Sequence, residues 1–316
     1  MIVHTKPETN RLELDAVNRV IKSNWIGRGL QCEAFEKEFS DYISPKGKHY
    51  YCLFTNCCTS ALKMAYKWAK EEGYTGISYP DNTYCATYAS ASEMGLEVLP
   101  YSKMLLEGLD GRWAIVTVHF GSIKDKEPCI IEDSAHRIEP NDPLIGKIRC
   151  YSFHPNKNMT ANYGGMFCTN NKKIYEKAKL WIGDGLKRTK LGRFDYTVEA
   201  MAGGYEGSDV MAAVGRVQLK KLPEFNRKRN ILVERYNKAF KSDWKGNHIF
   251  VLYLENYKEV KKAIVALEKE GVSCKSHYPG SNVITLPLYP SLSFKEQDEV
   301  IRKFNAYSYR TKLLLF

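Results

Sequence analysis

An amine, an imidazole and a set of hydroxyls and amides share one short stretch, Arg149 to Asn170 (RCYSFHPNKNMTANYGGMFCTN). Within it Lys157 lies among Ser152, His154, Asn156, Asn158 and Thr160. A lysine in water is protonated and chemically idle. Held on a rigid scaffold and partly desolvated, it loses its proton more readily, and its lone pair can attack a carbonyl carbon. Upstream, Ile130-Ile131-Glu132-Asp133-Ser134-Ala135-His136 ends an apolar run in a carboxylate. A carboxylate there needs a cation or hydrogen-bond donors. A protonated ring nitrogen of a ligand would supply the first, and the start of a helix capped by Asp133 the second. His136 reads either as a structural imidazole or as a further polar group for the same ligand.

These groups need strands to hold them. Arg149 to Phe153 and Met166 to Thr169 read as strands on either side of the lysine loop, separated from it by Gly164-Gly165, and are expected to pair as a hairpin. Cys129 to Glu132 reads as a buried strand that delivers Asp133 at its carboxyl end, where open α/β sheets bind ligands. Ala114 to His119 is another. Tyr50 to Phe54 is strand-like and is followed by Thr55-Asn56-Cys57-Cys58-Thr59-Ser60 and a helix to about Glu72. The first turn of that helix either seats a phosphate on its unpaired N–H groups or is simply capped by Thr59 or Ser60. Gly76 to Tyr79 is a strand, after which a helix starts at Asp81-Asn82-Thr83-Tyr84 and runs to about Gly95. Tyr84 either packs in the core or stacks on a flat heteroaromatic ring.

The remaining pattern alternates strands and helices. Asn10 is placed to cap a helix over Arg11 to Lys22, and another covers Cys32 to Ile43. Lys172 to Gly183 is an amphipathic helix, and Gly185 to Gly207 reads as a long polar loop of the kind that is usually functional. Asp209 to Leu222 is expected as a helix closed by Pro223, with a separate helix from Glu224 to Phe240. Strands at Asn247–Glu255 and Gly271–Ser276, with helices at Lys258–Glu270 and Ser293–Phe304, make a smaller α+β lobe.

Bulk properties narrow the class. The chain has 316 residues, 44% hydrophobic and 26% charged, which suits a globular protein with a large domain and a smaller one. No apolar run reaches the length of a membrane span, and MIVHTKPETN lacks the shape of a secretory leader, so a cytoplasmic protein is expected. The nine cysteines include no C-x-x-C pair; free thiols and no bound metal are expected. The net charge of +11 comes from bases scattered in short clusters on helix faces, without a zinc-finger, RNP-like or arginine-rich tract. Nucleic acid is therefore not the expected partner, while a basic surface would help gather a diphosphate.

The stretch SFHPNKNMTANYGGM closely resembles the lysine segment of the DegT/DnrJ/EryC1/StrS family of nucleotide-sugar aminotransferases. Other family patterns are met in order. Trp25, Gly29, Phe35, Glu36 and Phe39 match W-x-x-x-G followed by F-E-x-x-F. Cys57 to Leu62 align with S-G-T-x-A-L, Thr83 to Thr87 with T-[FYW]-x-A-T, and the Asp133 segment with V-x-E-D-x-A-[HQ]. His-Tyr-Pro from His277 and Leu-Pro-Leu-Tyr-Pro from Leu286 close the series.

The resemblance implies an α/β fold of the fold-type-I, aspartate aminotransferase-like kind. A large domain over residues 1–235 would carry a mainly parallel seven-stranded sheet, and a small α+β domain would cover residues 236–316. It also implies pyridoxal 5'-phosphate (PLP) as cofactor, passing through pyridoxamine phosphate (PMP). The amino donor would be an amino acid, by family habit glutamate. The acceptor would be a keto sugar on a nucleotide diphosphate, and the product an amino sugar for glycan or polysaccharide synthesis. Lys157 would carry the cofactor, Asp133 would face its pyridine nitrogen, and His136 would reach the ring hydroxyl or help hold the sugar. Tyr84 would stack on the ring, and Cys58, Thr59 and Ser152 would seat the phosphate. Family members are usually homodimers with shared sites. A related branch that removes a sugar hydroxyl has histidine at the lysine position, and Lys157 argues against it. A non-catalytic nucleotide-sugar binder would be expected to lose Lys157 or Asp133.

This chain departs from the family pattern at Cys58, where glycine is usual, and at Gly204, where an asparagine would reach the partner's phosphate. It is also shortened over Tyr101 to Arg112 and in the nine residues FGSIKDKEP between His119 and Cys129, where a crossover helix is usual.

Overall fold

The computed structural model describes residues 1–104, 110–120, 129–188, 195–276, 278 and 280–311. In chain order its elements begin with α1 (Arg11–Lys22), α2 (Leu30–Ile43), β1 (Tyr51–Thr55), α3 (Cys58–Glu71), β2 (Gly76–Tyr79), α4 (Cys85–Glu93), β3 (Glu97–Pro100) and α5 (Tyr101–Met104). There follow β4 (Trp113–Val118), β5 (Ile131–Asp133), β6 (Ile148–Ser152), β7 (Gly165–Thr169), α6 (Lys172–Ile182), β8 (Leu186–Arg188), β9 (Tyr196–Val198) and the long α7 (Asp209–Phe240). The last are β10 (Phe250–Tyr253), α8 (Tyr257–Lys269), β11 (Lys275–Ser276), β12 (Val283–Leu286) and α9 (Phe294–Thr311). The chain divides into two compact units. One takes in Thr9–His119 and the chain up to Lys220; the other takes in Met1–Glu8, Phe120 and the chain from Lys221.

In the first unit seven strands form one sheet in the order β1-β7-β6-β5-β4-β2-β3. Only β7 runs against its neighbours, pairing antiparallel with β1 and β6, while every other pairing is parallel. This is the mainly parallel seven-stranded sheet expected. The expected hairpin is present too: Arg149 faces Cys168 and Ser152 faces Gly165 across β6 and β7. Both strands are buried along their whole length, as a sheet covered on both faces requires. Ile77, Ala114, Val116, Ile131, Ile148 and Phe167 supply the core with Leu62, Ala65 and Ala69 of α3 and Ile174, Ala178 and Trp181 of α6. Elsewhere Phe35, Phe39, Phe54, Tyr151 and Phe153 interlock, with edge-to-face pairs at 5.0 Å for Phe35–Phe54 and for Phe39–Tyr151. Helix α1 starts as expected at Asn10. Its side chain accepts from Leu12 N while Glu13 returns a bond to the Asn10 N–H, which satisfies two otherwise orphaned donors.

In the second unit β10, β12 and β11 form a three-stranded antiparallel sheet. Leu252, Ile284 and Leu286 pack there with Tyr236, Phe240, Leu267 and Phe304.

Some expectations are corrected. Pro223 does not end a helix; α7 runs through it. The ring removes one backbone bond at a cost of about 3 kcal/mol. Buried Leu219 and Leu222 on one side and Leu232, Val233 and Tyr236 on the other offset that loss. The polar stretch after Gly185 is not all loop: β8 pairs antiparallel with β9. Strand β12 was not expected, because the prolines next to it masked its short apolar run, and α4 begins at Cys85 rather than Asp81. The crossover ahead of Cys129 falls largely on residues 121–128, outside the described residues.

One charged cluster stiffens the middle of the sheet. Glu132, fully buried on β5, accepts from His119 Nε2 at 2.7 Å, from Arg149 Nε at 2.9 Å and from the Ile145 and Gly146 amides at 2.8 Å. Burial works against its charge, yet His119 and Arg149 hold its carboxyl below the usual range. Arg149 also bonds Asp142 at 3.0 Å. Replacing Arg149 with methionine strips this buried carboxylate of its full-time cation. It is expected to lower stability by about 3–5 kcal/mol in urea unfolding; a loss under about 1 kcal/mol would show that the pair is not structural.

Candidate active site

The functional groups gather where strands end. β5 ends in Asp133 and β6 ends in Ser152, and the lysine loop follows. β1, parallel to β6 because both oppose β7, ends just before α3. The carboxyl ends of parallel strands are where an α/β sheet leaves a ligand crevice.

The loop is clasped at both ends. Phe153 N donates to Gly164 O at 2.9 Å and Ala161 N to Phe153 O at 3.0 Å. Thr160 N reaches Gln218 Oε1 at 3.4 Å, and Gln218 Nε2 is tied to Glu13 at 2.7 Å. Asn162 sits in the left-handed region at φ 69°, and Gly164 follows at φ 115°, where a Cβ would meet the Phe54 ring at 2.9 Å. Within this frame the Lys157 N–H is fixed by His154 O at 2.9 Å, and Lys157 Nζ donates to His136 Nε2 at 3.1 Å. The lysine stem keeps some surface, but its amine end is enclosed. Desolvation brings its pKa from 10.5 down to about 8, against the pull of Asp133 and Cys58.

Asp133 is the opposite pole. It is 5% exposed, and burial pushes its carboxyl above the usual range. Neutral donors partly compensate: Thr87 Oγ1 donates to Oδ2 at 2.9 Å, and the Ala135 N–H donates to Oδ1 at 3.1 Å. Thr87 accepts in turn from Thr83 at 2.8 Å. The positive field of Lys157 also acts on Asp133. An acid pushed toward neutrality and an amine pushed toward neutrality therefore share one enclosure, and a cationic ligand atom at Asp133 would restore its charge.

The start of α3 could seat a phosphate. Cys57 is its N-cap and offers no side-chain cap, so the first-turn amides of Cys58, Thr59 and Ser60 lack an intrahelical acceptor. Ser60 Oγ turns instead to Asn56 Oδ1 at 2.6 Å, and Thr59 is partly exposed. The Cys58 thiol lies in the fields of Asp133 and Lys157, and burial holds it well above its usual pKa. The close approach here is between β7 and α3. A Cβ on Gly165 would meet Cys58 N at 2.5 Å and Cys57 C at 2.6 Å. Ser152 is buried opposite Gly165, its Oγ accepting from His154 N at 3.4 Å. Tyr84 is the N-cap of α4, one turn before Thr87, and is 61% exposed rather than packed in the core.

The fold thus brings Lys157, His136, Asp133 and Cys58 into mutual range and puts Ser152, Thr59 and Tyr84 at the ends of neighbouring elements. Sequence reasoning overlooked Thr87, which holds Asp133. The available signal was a second hydroxyl, Thr83, just ahead of the helix start. It also overlooked the Gln218–Glu13 clamp, for which the sequence carries no local mark. Gly204, the site of the missing asparagine, accepts from Asn56 Nδ2 at 3.2 Å and bridges Gly183. Of the His-Tyr-Pro motif only Tyr278 is described.

Residues 7–102 and 123–281 match the sequence profile of the DegT/DnrJ/EryC1/StrS aminotransferase family. The chain belongs to that family. The unmatched gap overlaps the stretch from Tyr101 to Arg112 that reads as shortened. Among relatives in the family, the spore coat polysaccharide biosynthesis protein SpsC of Bacillus subtilis is 25% identical over 94% of this chain and 95% of its own length. UDP-4-amino-4,6-dideoxy-N-acetyl-beta-L-altrosamine transaminase of Campylobacter jejuni is 25% identical over 88% of this chain and 84% of its own. A sugar-aminotransferase structure from Streptococcus pneumoniae in its PMP form superposes with a TM-score of 0.86, at 21% identity, over 98% of this chain and 100% of its own. At that identity the likeness speaks for the fold.

The amine pKa can be checked directly. Lys157 should be an ammonium below about pH 8 and a free amine above it. A 13C NMR titration of the lysine Cε signals should show one resonance titrating near 8 that vanishes in Lys157→Arg. If every lysine titrates near 10.5, the amine is in water. Gly165→Ala should displace the first turn of α3 and weaken phosphate binding at least about tenfold, while Ala161→Gly, on the loop that precedes β7, should leave that binding unchanged.

Proposed function

We propose that this chain transfers an amino group from an amino acid, glutamate by family habit, to a keto sugar carried on a nucleotide diphosphate, with PLP held between Asp133 and Lys157. The observation that carries the reading is the enclosure shared by those two side chains. The donor set fits the cofactor. It offers a buried acid whose hydrogen bonds among the described residues come from neutral donors, an amine depressed to about 8, and a helix N-terminus with uncapped amides.

Each residue then has a task. Lys157 would hold the cofactor through its amine, and its Nζ, when free, would take and return a proton as base and acid. Its lowered pKa leaves roughly a tenth of it as the free amine at pH 7, far more than an ordinary lysine keeps. Asp133 faces a protonated ring nitrogen and is held in place by Thr87. Bound PLP supplies an electron sink for the C–H bond that is broken. His136, 3.1 Å from Nζ, orients the amine and faces the ring hydroxyl or the sugar. Tyr84 covers one ring face. The amides of Cys58 and Thr59, with Ser152, seat the phosphate.

The reading includes a homodimer in the cytoplasm. Family habit supports the dimer, as do large apolar side chains on the surface at Ile26, Leu30, Val198 and Met201. All nine cysteines are free thiols, as a reducing compartment would keep them, and no helix among the described residues is long and apolar enough to cross a membrane.

The test is product analysis. PLP-loaded protein given glutamate and a UDP- or dTDP-linked keto sugar should yield 2-oxoglutarate and the amino sugar by mass spectrometry. Lys157→Arg should lower turnover by about a thousandfold or more, and Asp133→Asn by about a hundredfold. Turnover surviving in Lys157→Arg would refute the assignment.

A further inference from the structure

Tyr163 is a residue that the roles above do not use. It lies on the same loop as Lys157, between left-handed Asn162 and Gly164 at φ 115°, so its backbone is pinned on both sides. Its ring stands edge-to-face with the His154 imidazole, with centroids 5.0 Å apart at 76°. Despite that contact it is 52% exposed. His154 is itself held, its Nδ1 donating to Asn156 Oδ1 at 2.7 Å. The Tyr84 phenol is pushed up chiefly by Cys85, then by burial, with the Tyr163 phenol adding to it. Two exposed tyrosines from different elements, one on the lysine loop and one at the start of α4, therefore lie within each other's field.

A half-exposed aromatic on an ordered loop costs solvation without adding to the core, which favours a ligand-contacting role. The chemistry of the acceptor says which part of it would be met. Its keto carbon must come within reach of the Lys157 end of the site, so the hexose lies next to the lysine loop and the nucleotide lies farther out. A hexose ring offers C–H groups on its faces and hydroxyls at its rim. The negative face of an aromatic ring suits the first, and the polar edge of His154 and Asn156 suits the second.

Resting on the function proposed above, we infer that the Tyr163 ring is the platform for the hexose of the nucleotide sugar, backed by His154, and so a specificity-determining residue of this enzyme. The contact is with the ring face, so phenylalanine would serve in its place.

Calorimetric binding to the PLP-loaded protein tests this with UDP-N-acetylglucosamine and dTDP-glucose, each against the bare nucleoside diphosphate. Tyr163→Ala should weaken the better-bound sugar nucleotide about tenfold, the loss of roughly one stacking contact. It should leave the affinity for the bare diphosphate unchanged, and Tyr163→Phe should bind as the unmodified protein does. The inference is overturned if neither sugar nucleotide binds more tightly than its diphosphate, if Tyr163→Ala binds the sugar nucleotide normally, if it weakens both ligands equally, or if Tyr163→Phe fails like alanine. Conversion of bound PLP by glutamate, followed by absorbance in the same samples, reports separately on transamination. Its absence in the unmodified protein would count against that function, whereas normal conversion in Tyr163→Ala is expected.

Discussion

Taking a carboxyl and an amine out of water together is the constraint on which the rest of this structure depends. Burial works against the charge of each: it pushes Asp133 up and leaves Lys157 at about 8. Side by side, each offsets part of the other's desolvation. On the proposed reading, the pair meets a ligand that is cationic at one end and carbonyl-bearing at the other. A surface ion pair would be screened and idle. Enclosure is what makes the pair chemically useful.

That enclosure is a matter of strand register. Asp133 faces Cys150 across β5 and β6, and Ser152 faces Gly165 across β6 and β7. A slip of one residue would turn every side chain of the strand to the other face. The Glu132–Arg149–His119 cluster opposes such a slip, because Glu132 alternates with Asp133 on β5 and its partners lie on β6 and at the end of β4. The buried charges behind the sheet thus help fix the position of the reactive charges in front. The glycines serve the same end: Gly165 lets β7 approach the start of α3, and Gly164 lets the lysine loop turn under Phe54.

Much of this was legible in the sequence, and the reasons are local. An apolar run ending in Glu-Asp, and a strand–polar loop–Gly-Gly–strand pattern, each announce themselves within a dozen residues, so Asp133, Lys157 and the β6–β7 hairpin could be placed. Asn10 announced the start of α1 as its N-cap. What could not be read was decided by partners far away in the chain. Pro223 looked like a stop, but packing along both halves of α7 outweighs its lost bond. β12 is a short apolar run whose identity comes from pairing with β10 and β11. Thr87 becomes part of the site only because α4 places its hydroxyl over the end of β5. The tight contact at the start of α3 likewise depends on a distant partner, Gly165.

The central claim is that one particular amine takes the cofactor. Borohydride reduction of the PLP-loaded protein, followed by proteolysis and mass mapping, examines it with no substrate needed. The account predicts a single phosphopyridoxyl mass tag, on the peptide containing Lys157. A tag spread over surface lysines, or placed on any other single lysine, would contradict it.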